Sequence, residues 1–528
     1  MKITGQGVPL DGALIRLLPP AVAPQVAAFH LEGDADLTVE LQKADRQAPP
    51  EYSAVVDCLG DRINHEHFPY PLEDIRGTLL LTKEGVVFKN IQARPQDVSL
   101  RASGAAGPPT PSPVIWIDGV ATVARGKLEK GSFTVKAADL LFTEALGRAL
   151  PKTLAGLYRE LSLQGPFGLD RTTLEISRRS APDAGAGAAG EETLVEFAGT
   201  AQLGPRLPVP GAGAPASFCS IRASGTALEL CGALQAEGSY STRHGLSRAQ
   251  VRLAAQRVAV RGKAATDLAL DATYDPNTGR WAAESFVGNC HGGRLLGSLE
   301  VGPARDRGPT TGRGPSASSS GGFEYLLQLA LHDVALQSFL QAGGKTEGPE
   351  SSSGTMDAWL SLKTQAAGPP GPGGSGGSSS RQGVCRVEIA DMRVGRVSPL
   401  SNVLLSVLHL GEAPDYTFER LSIDSYIQSD TLLISTLDLS GPGAAFTGSG
   451  TMDLPSEELD LVLTARGQRV AAAEPSVLQA LTEGLGVAVV RMEVTGKVGA
   501  PRVETKALPL IEDSLRILGA PEDGRRAR

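Results

Sequence analysis

Leu459-Asp460-Leu461-Val462-Leu463 places three leucines on one side of an extended chain, because successive side chains of a strand point to opposite faces. The same alternation appears upstream in Leu421-Ser422-Ile423, in Leu437-Asp438-Leu439 and, far away, in Leu37-Thr38-Val39-Glu40-Leu41. It recurs over stretches of five to nine residues punctuated by Gly, so the expected fold is mainly β: some twenty short strands in a long twisted antiparallel sheet, with a few short helices. A sheet of that extent twists and curls, and its apolar face has to be covered by a second sheet, by helices or by a ligand. The faces Leu37/Val39/Leu41 and Leu459/Leu461/Leu463 therefore either pack against another sheet or line a groove.

The composition fits this reading. The 528 residues include 63 Gly and 36 Pro but only 5% aromatics, a mixture rich in turns and poor in long-helix character. Lys plus Arg number 50 against 58 Asp plus Glu, a net charge of −8. No basic stretch interleaves with aromatics, which argues against a nucleic-acid partner. Five widely spaced cysteines without a CxxC pair define neither a disulfide framework nor a zinc site. The longest apolar run, Val403 to Leu410, is interrupted by Ser406 and His409, far short of the roughly 20 residues of a spanning helix. Met1-Lys2-Ile3-Thr4-Gly5-Gln6-Gly7 opens without a signal-peptide core, the start expected of a cytoplasmic chain or of an N-terminally truncated fragment.

Loops are expected at 104–113, 180–192, 204–217, 302–322 and 341–383, the last containing a Gly/Ser tract at 371–380. These divide the chain into expected segments 1–103, 114–301, 302–383 (partly low-complexity linker), 384–519 and a tail at 520–528. One unit recurs four times: a short strand, an Asp, then an apolar helix of about three turns, at Asp11, Asp139, Asp333 and Asp391. Asp there is expected to cap the helix by accepting first-turn amides. A second grammar puts an apolar or aromatic residue a few positions before a strand Gly, as in Phe446-Thr447-Gly448-Ser449-Gly450, where the Gly is expected to mark a bulge or bend.

The run from Leu421 through Gly450 and Leu463, and the ending Val494-Thr495-Gly496-Lys497-Val498-Gly499-Ala500-Pro501-Arg502-Val503 with an amphipathic helix near Leu508 to Leu518, resemble the C-terminal region of the AsmA-like family. Phe68-Pro69-Tyr70-Pro71-Leu72, Ile75 to Leu79 and Val86 to Ile91 resemble strand pairs of the same superfamily. The resemblance implies a YhdP- and TamB-type bridge-like lipid transfer protein, periplasmic or in the cell envelope. Its β-groove carries phospholipid acyl chains between inner and outer membranes, without cofactors or catalytic residues. On that implication Leu37, Val39, Leu41, Leu459, Leu461 and Leu463 line the groove. The family's usual N-terminal transmembrane anchor has no counterpart in this sequence. A structural or interaction protein of the envelope with a dry β core is the competing expectation.

Other motifs read as structural. Gly448-Ser449-Gly450 lacks the helix start and Lys of a phosphate loop. Gly373-Gly374-Ser375-Gly376-Gly377 matches a nucleophile elbow only in letters, inside a linker. His65-Glu66-His67 with Asp61 offers no evident third metal ligand on one strand face. Cys290-His291 are sequence neighbours and point apart on a strand. No enzyme is expected.

Overall fold

The computed structural model describes residues 1–17, 27–42, 51–65, 68–96, 113–124, 127–150, 155, 158–159, 162–180, 191–204, 219–223, 226–303, 323–342, 353–365, 380–394, 416–441, 444–467, 488–498 and 500–506. These residues are mainly β and antiparallel, as the alternation requires: 24 strands and three helices of six residues each. The chain divides into two compact units, one of 1–261 with 266–281 and one of 262–265 with 282–528.

In the first unit β1 (Lys2–Pro9), α1 (Gly12–Leu17), β2 (Asp34–Gln42), β3 (Glu51–His65), β4 (Phe68–Thr82), β5 (Gly85–Pro95), β6 (Val114–Ala124) and β7 (Lys127–Leu141) are followed by α2 (Glu144–Ala149) and β8 (Pro166–Ser180). Then come β9 (Glu191–Leu203), β10 (Cys219–Ala223), β11 (Thr226–Ser241), β12 (Gly245–Val260) and β13 (Lys263–Asp275). Strands pair with their neighbours in sequence except around β11, whose first half pairs β10 and whose second half pairs β9. Leu203 stands opposite Gly232 and Cys219 opposite Leu230, so β9 and β10 are one strand line interrupted by residues 204–218.

The second unit carries β14 (Arg280–Cys290), β15 (Gly293–Pro303), β16 (Phe323–Ala335), α3 (Leu336–Gln341), β17 (Ser353–Gln365), β18 (Ser380–Val394), β19 (Tyr416–Gln428), β20 (Thr431–Ser440), β21 (Ala444–Asp453), β22 (Glu458–Gly467), β23 (Ala488–Lys497) and β24 (Ala500–Lys506). From β15 onward each strand pairs antiparallel with the next.

Several expectations change. The strands are mostly 10 to 16 residues long, longer than the alternating runs, because bulges break the alternation without breaking the ladder. The expected loop 341–383 contains β17, whose Met356, Trp359 and Leu360 were obscured by Gly/Ser-rich flanks. The expected loop 180–192 narrows, since Ser180 closes β8 and Glu191 opens β9. The helix expected at Leu400 to Leu410, the one near Leu508 to Leu518 and the tract 371–377 lie outside the described residues.

The repeating Asp is also reassigned. Only Asp11 caps a helix, accepting the Ala13 amide at 2.8 Å. Asp139, Asp333 and Asp391 stand at φ of 53°, 54° and 51° inside strands, where Asp tolerates the left-handed region better than most residues. The pairing slips at each of them, so they are β-bulges. The helix α2 is capped instead by Thr143, whose hydroxyl accepts the Leu146 amide. Gly7, Asp74, Asn90 and Arg171 mark further bulges of the same kind. At three of these sites an Asp from the facing strand accepts the bulged amide: Asp36 from Gly7 at 2.8 Å, Asp118 from Asn90 at 2.7 Å and Asp357 from Asp333 at 3.0 Å. A bulge bends its strand and increases its twist, so bulges on successive strands crease each sheet.

Candidate functional site

The strand registers align apolar residues into cross-strand rows. In the first unit Gly5, Leu37, Val56, Leu79, Phe88, Gly119, Phe133, Leu174, Phe197, Gly238 and Ala249 each stand opposite the next, across β1 to β12. At about 4.8 Å per strand this row runs about 48 Å without a charged residue. Val39 belongs to the adjacent row with Ile3, Ala54 and Leu81, and Leu41 faces Tyr52. In the second unit Leu331, Ala358, Val387, Ile423, Leu437, Gly448, Leu463 and Met492 form one row. Leu360, Cys385, Ser425, Ile434, Gly450, Leu461 and Val494 form the next, where Ser425 satisfies itself on the Cys385 carbonyl at 2.9 Å.

The rows are not equally covered. Leu37, Val39, Leu41, Leu79, Phe88, Phe133, Leu174 and Phe197 are half-buried, as are Leu360, Ile423 and Leu437. Leu459, Leu461 and Leu463 are buried, Leu461 to 4% exposure, beside fully buried Met492 and Val494. The structure therefore places both candidate triplets on apolar rows, one triplet in each unit, and makes the second a packed cluster. Of the large residues on the first row, Phe197 was legible from its place before Gly199 and Phe88 from the Val86 to Ile91 stretch, whereas nothing local marked the place of Phe133 on the row.

Gly448 and Gly450, expected to mark a bulge or bend, keep register with β22 and flank the slip in the pairing with β20. Gly119 likewise flanks the slip between β5 and β6, and at Gly119, Gly238, Gly448 and Gly450 a neighbour's side chain lies over the glycine. Phe133 covers Gly119, Phe197 covers Gly238, Leu463 covers Gly448 and Leu461 covers Gly450. Phe88 and Phe133 meet edge to face across Gly119 at 5.5 Å. Large side chains thus lie flat on the sheet, which gives a smooth apolar surface.

The opposite face of the second unit is polar. Arg386 pairs with Asp424 at 2.6 Å, Arg420 with Glu388 at 2.7 Å and Lys363 with Glu324 at 2.6 Å. Each sheet therefore has one apolar and one aqueous side, the pattern of a half-solvated antiparallel sheet.

One buried ionisable group stands apart. Asp61 is 1% exposed in the irregular stretch of β3, against Gly33, and neither carboxylate oxygen has a hydrogen bond of good geometry. Burial raises its pKa above the usual carboxylate range, partly opposed by the Cys58 thiol and the Asp34 amide. Burial, with Asp61 beside it, pushes the Cys58 thiol up to about 12. A carboxyl whose folded pKa is raised binds its proton more tightly in the native state, so its stabilising contribution is present at low pH and lost as pH rises through the folded value. Asp61→Asn is therefore expected to raise Tm at about pH 8, and the gain should shrink as pH falls toward about 4. Calorimetric scans of both proteins across that range check it; a pH-independent difference would contradict the assignment.

The remaining motifs are structural in the described residues. His65 packs edge-on against Phe29 at 4.6 Å, and Glu66 and His67 lie outside the described residues. No cluster of three or more His, Cys, Asp or Glu arranged for a metal occurs among the described residues. Cys290 is buried with its pKa raised by burial, while His291 packs on Phe339 at 5.6 Å. Among the described residues no helix is long and apolar enough to cross a membrane. The class this geometry defines is a creased antiparallel β protein with apolar rows on one face. Compared with known proteins, the chain matches no family model, no curated protein and no solved structure.

Proposed function

We propose that this is an AsmA-like envelope protein that shields phospholipid acyl chains on its apolar rows and lets them pass between inner and outer membranes without catalysis. The observation that carries the reading is the half-buried state of Leu79, Phe88, Phe133, Leu174 and Phe197 in mid-sheet strands. Large apolar residues at the centre of a dry sandwich are fully buried; here a row of them, interrupted at Gly119 where Phe133 lies over the glycine, keeps surface for a ligand. Each acyl methylene moved from water onto such a lining is stabilised by roughly 0.8 kcal/mol. Where the lining continues unchanged from strand to strand, moving one strand costs little, and passive sliding follows. Head groups remain in water beyond the apolar rows. The periplasm is the compartment this role requires.

The alternative is a structural or interaction protein of the envelope with a dry core and no lipid. The fully buried Met492 and Val494 beside Leu461 favour it locally, at β22 and β23. Native mass spectrometry with lipid extraction of the purified chain separates the two. Co-purified phospholipid, absent from a folded Ile423→Glu variant, is the expected result. A lipid-free wild-type protein that also fails to take up phospholipid from vesicles would overturn the proposal in favour of the dry core.

A further inference from the structure

The aqueous face of the second unit carries a feature that the lipid reading does not use. Opposite side chains Ser361, Val384, Tyr426 and Leu433 form a row across β17 to β20 on that face. Tyr426 is 52% exposed and Trp359, on the neighbouring row of β17, is 44% exposed. Val384 and Leu433 are exposed as well. Beside Tyr426 lies an open depression of about 540 Å³, lined by Ser361, Val384 and Leu433 of the same row and by Lys363, Gln382 and Gln428 of the adjacent row. The depression is wide open to solvent, so a ligand there is laid against the sheet rather than enclosed.

The occupant follows from what the surface offers. The charges around the depression are already paired: Lys363 with Glu324 at 2.6 Å, Arg386 with Asp424 at 2.6 Å and Arg381 with Asp430 at 3.5 Å. An ionic ligand would have to break these pairs, whereas Gln382, Gln428 and Ser361 present neutral donors and acceptors. The site sits on strands hydrogen-bonded on both sides, so no free edge is present for strand addition by a peptide. The exposed apolar area of the four residues, on the order of 300–400 Å², is that of an ordinary monomer patch and well below the roughly 800 Å² per partner of a stable protein interface.

An uncharged ligand with one apolar face and a rim of hydroxyls matches this surface, and a pyranose ring has that form: its axial C–H bonds lie on an aromatic face while its hydroxyls reach amide side chains. We infer that the Tyr426 depression is a binding site for a neutral glycan, with Tyr426 as the stacking platform and Gln382 and Gln428 as the hydrogen-bonding rim. Trp359, two strands and one side-chain step away, is about 12 Å from Tyr426 by strand geometry. It supplies a second platform for a chain of several sugars.

The test uses the full chain with cellohexaose, maltohexaose and chitohexaose as probes, read by saturation-transfer NMR and calorimetric titration. Saturation transfer to at least one oligosaccharide is expected. Tyr426→Ala should weaken binding by about tenfold or more, and Tyr426→Phe should retain it, because the ring and not the hydroxyl does the stacking. Circular dichroism of both variants should be unchanged, since Tyr426 is half exposed and supports no core. No transfer to any probe at about 10 mM, or equal binding by Tyr426→Ala, overturns the inference. A wild-type dimer in sedimentation that Tyr426→Ala converts to monomer would also overturn it, assigning the patch to a second copy.

Discussion

Leu461→Asp is expected to unfold the β20–β23 region rather than leave a folded, lipid-free sheet. Leu461 is 4% exposed, lies over Gly450 and stands opposite Val494, which is fully buried. Truncating a buried leucine costs about 2–5 kcal/mol, and a carboxylate placed there without a partner adds a desolvation cost of a few kcal/mol more. The sum rivals the total stability of many domains. Urea titration followed by circular dichroism should show loss of a cooperative transition or a midpoint far below wild type. Ile423→Glu is the contrasting substitution. Ile423 lies on an apolar row but is half-buried, so its charge can reach water. The expected cost is about 1–2 kcal/mol, and the sheet stays folded while the row is interrupted. A Leu461→Asp protein as stable as wild type would show that the cluster opens freely to solvent.

Gly450→Val should be comparably severe, for a different reason. A Cβ at Gly450 would run into the Asp460 carbonyl on β22 and meet the Leu461 side chain at 2.9 Å. The backbone carbonyl cannot move without opening the β21–β22 ladder, and Leu461 cannot lift off without leaving its buried site. Overpacking alone costs about 1–3 kcal/mol, and breaking ladder hydrogen bonds adds about 1 kcal/mol each. Gly450→Ala should already lower the thermal midpoint clearly, and Gly450→Val should abolish soluble expression or cooperative melting. An unchanged midpoint for Gly450→Ala would mean that Leu461 is not held flat on the sheet.

The two substitutions probe one device from both sides, a glycine and the leucine that lies over it. The same device recurs with Phe133 over Gly119 and Phe197 over Gly238. A sheet built this way has side chains lying along its surface rather than standing out to interdigitate with a facing sheet.

The mainly β class was legible in the leucine alternation of Leu37 to Leu41 and Leu459 to Leu463, because a period of two has one geometric meaning. Ile75 to Leu79 and Val86 to Ile91, read as strand-pair segments from the resemblance, lie on the paired strands β4 and β5. The apolar rows were half visible: each strand's face followed from its own alternation, but which residue faced which depended on register. Register is set by bulges and by loops of unrelated length. β17 was hidden because its neighbours in sequence are Gly/Ser tracts, while its neighbours in space are β16 and β18.

Local chemistry misassigned Asp139, Asp333 and Asp391. The carboxylate that favours a helix start also favours a left-handed strand residue, and the sequence supports both readings equally. Only the facing strand, with Asp357 accepting the Asp333 amide, selects the bulge. Burial was likewise a tertiary matter. Val39 and Leu461 occupy equivalent places in their alternating runs, yet one is half-buried and the other closed over. The sequence alone determined that this chain makes two-faced strands with one apolar side. Pairing, crease and cover decided which of those apolar residues stay partly exposed, because each depends on atoms contributed by strands distant in the chain.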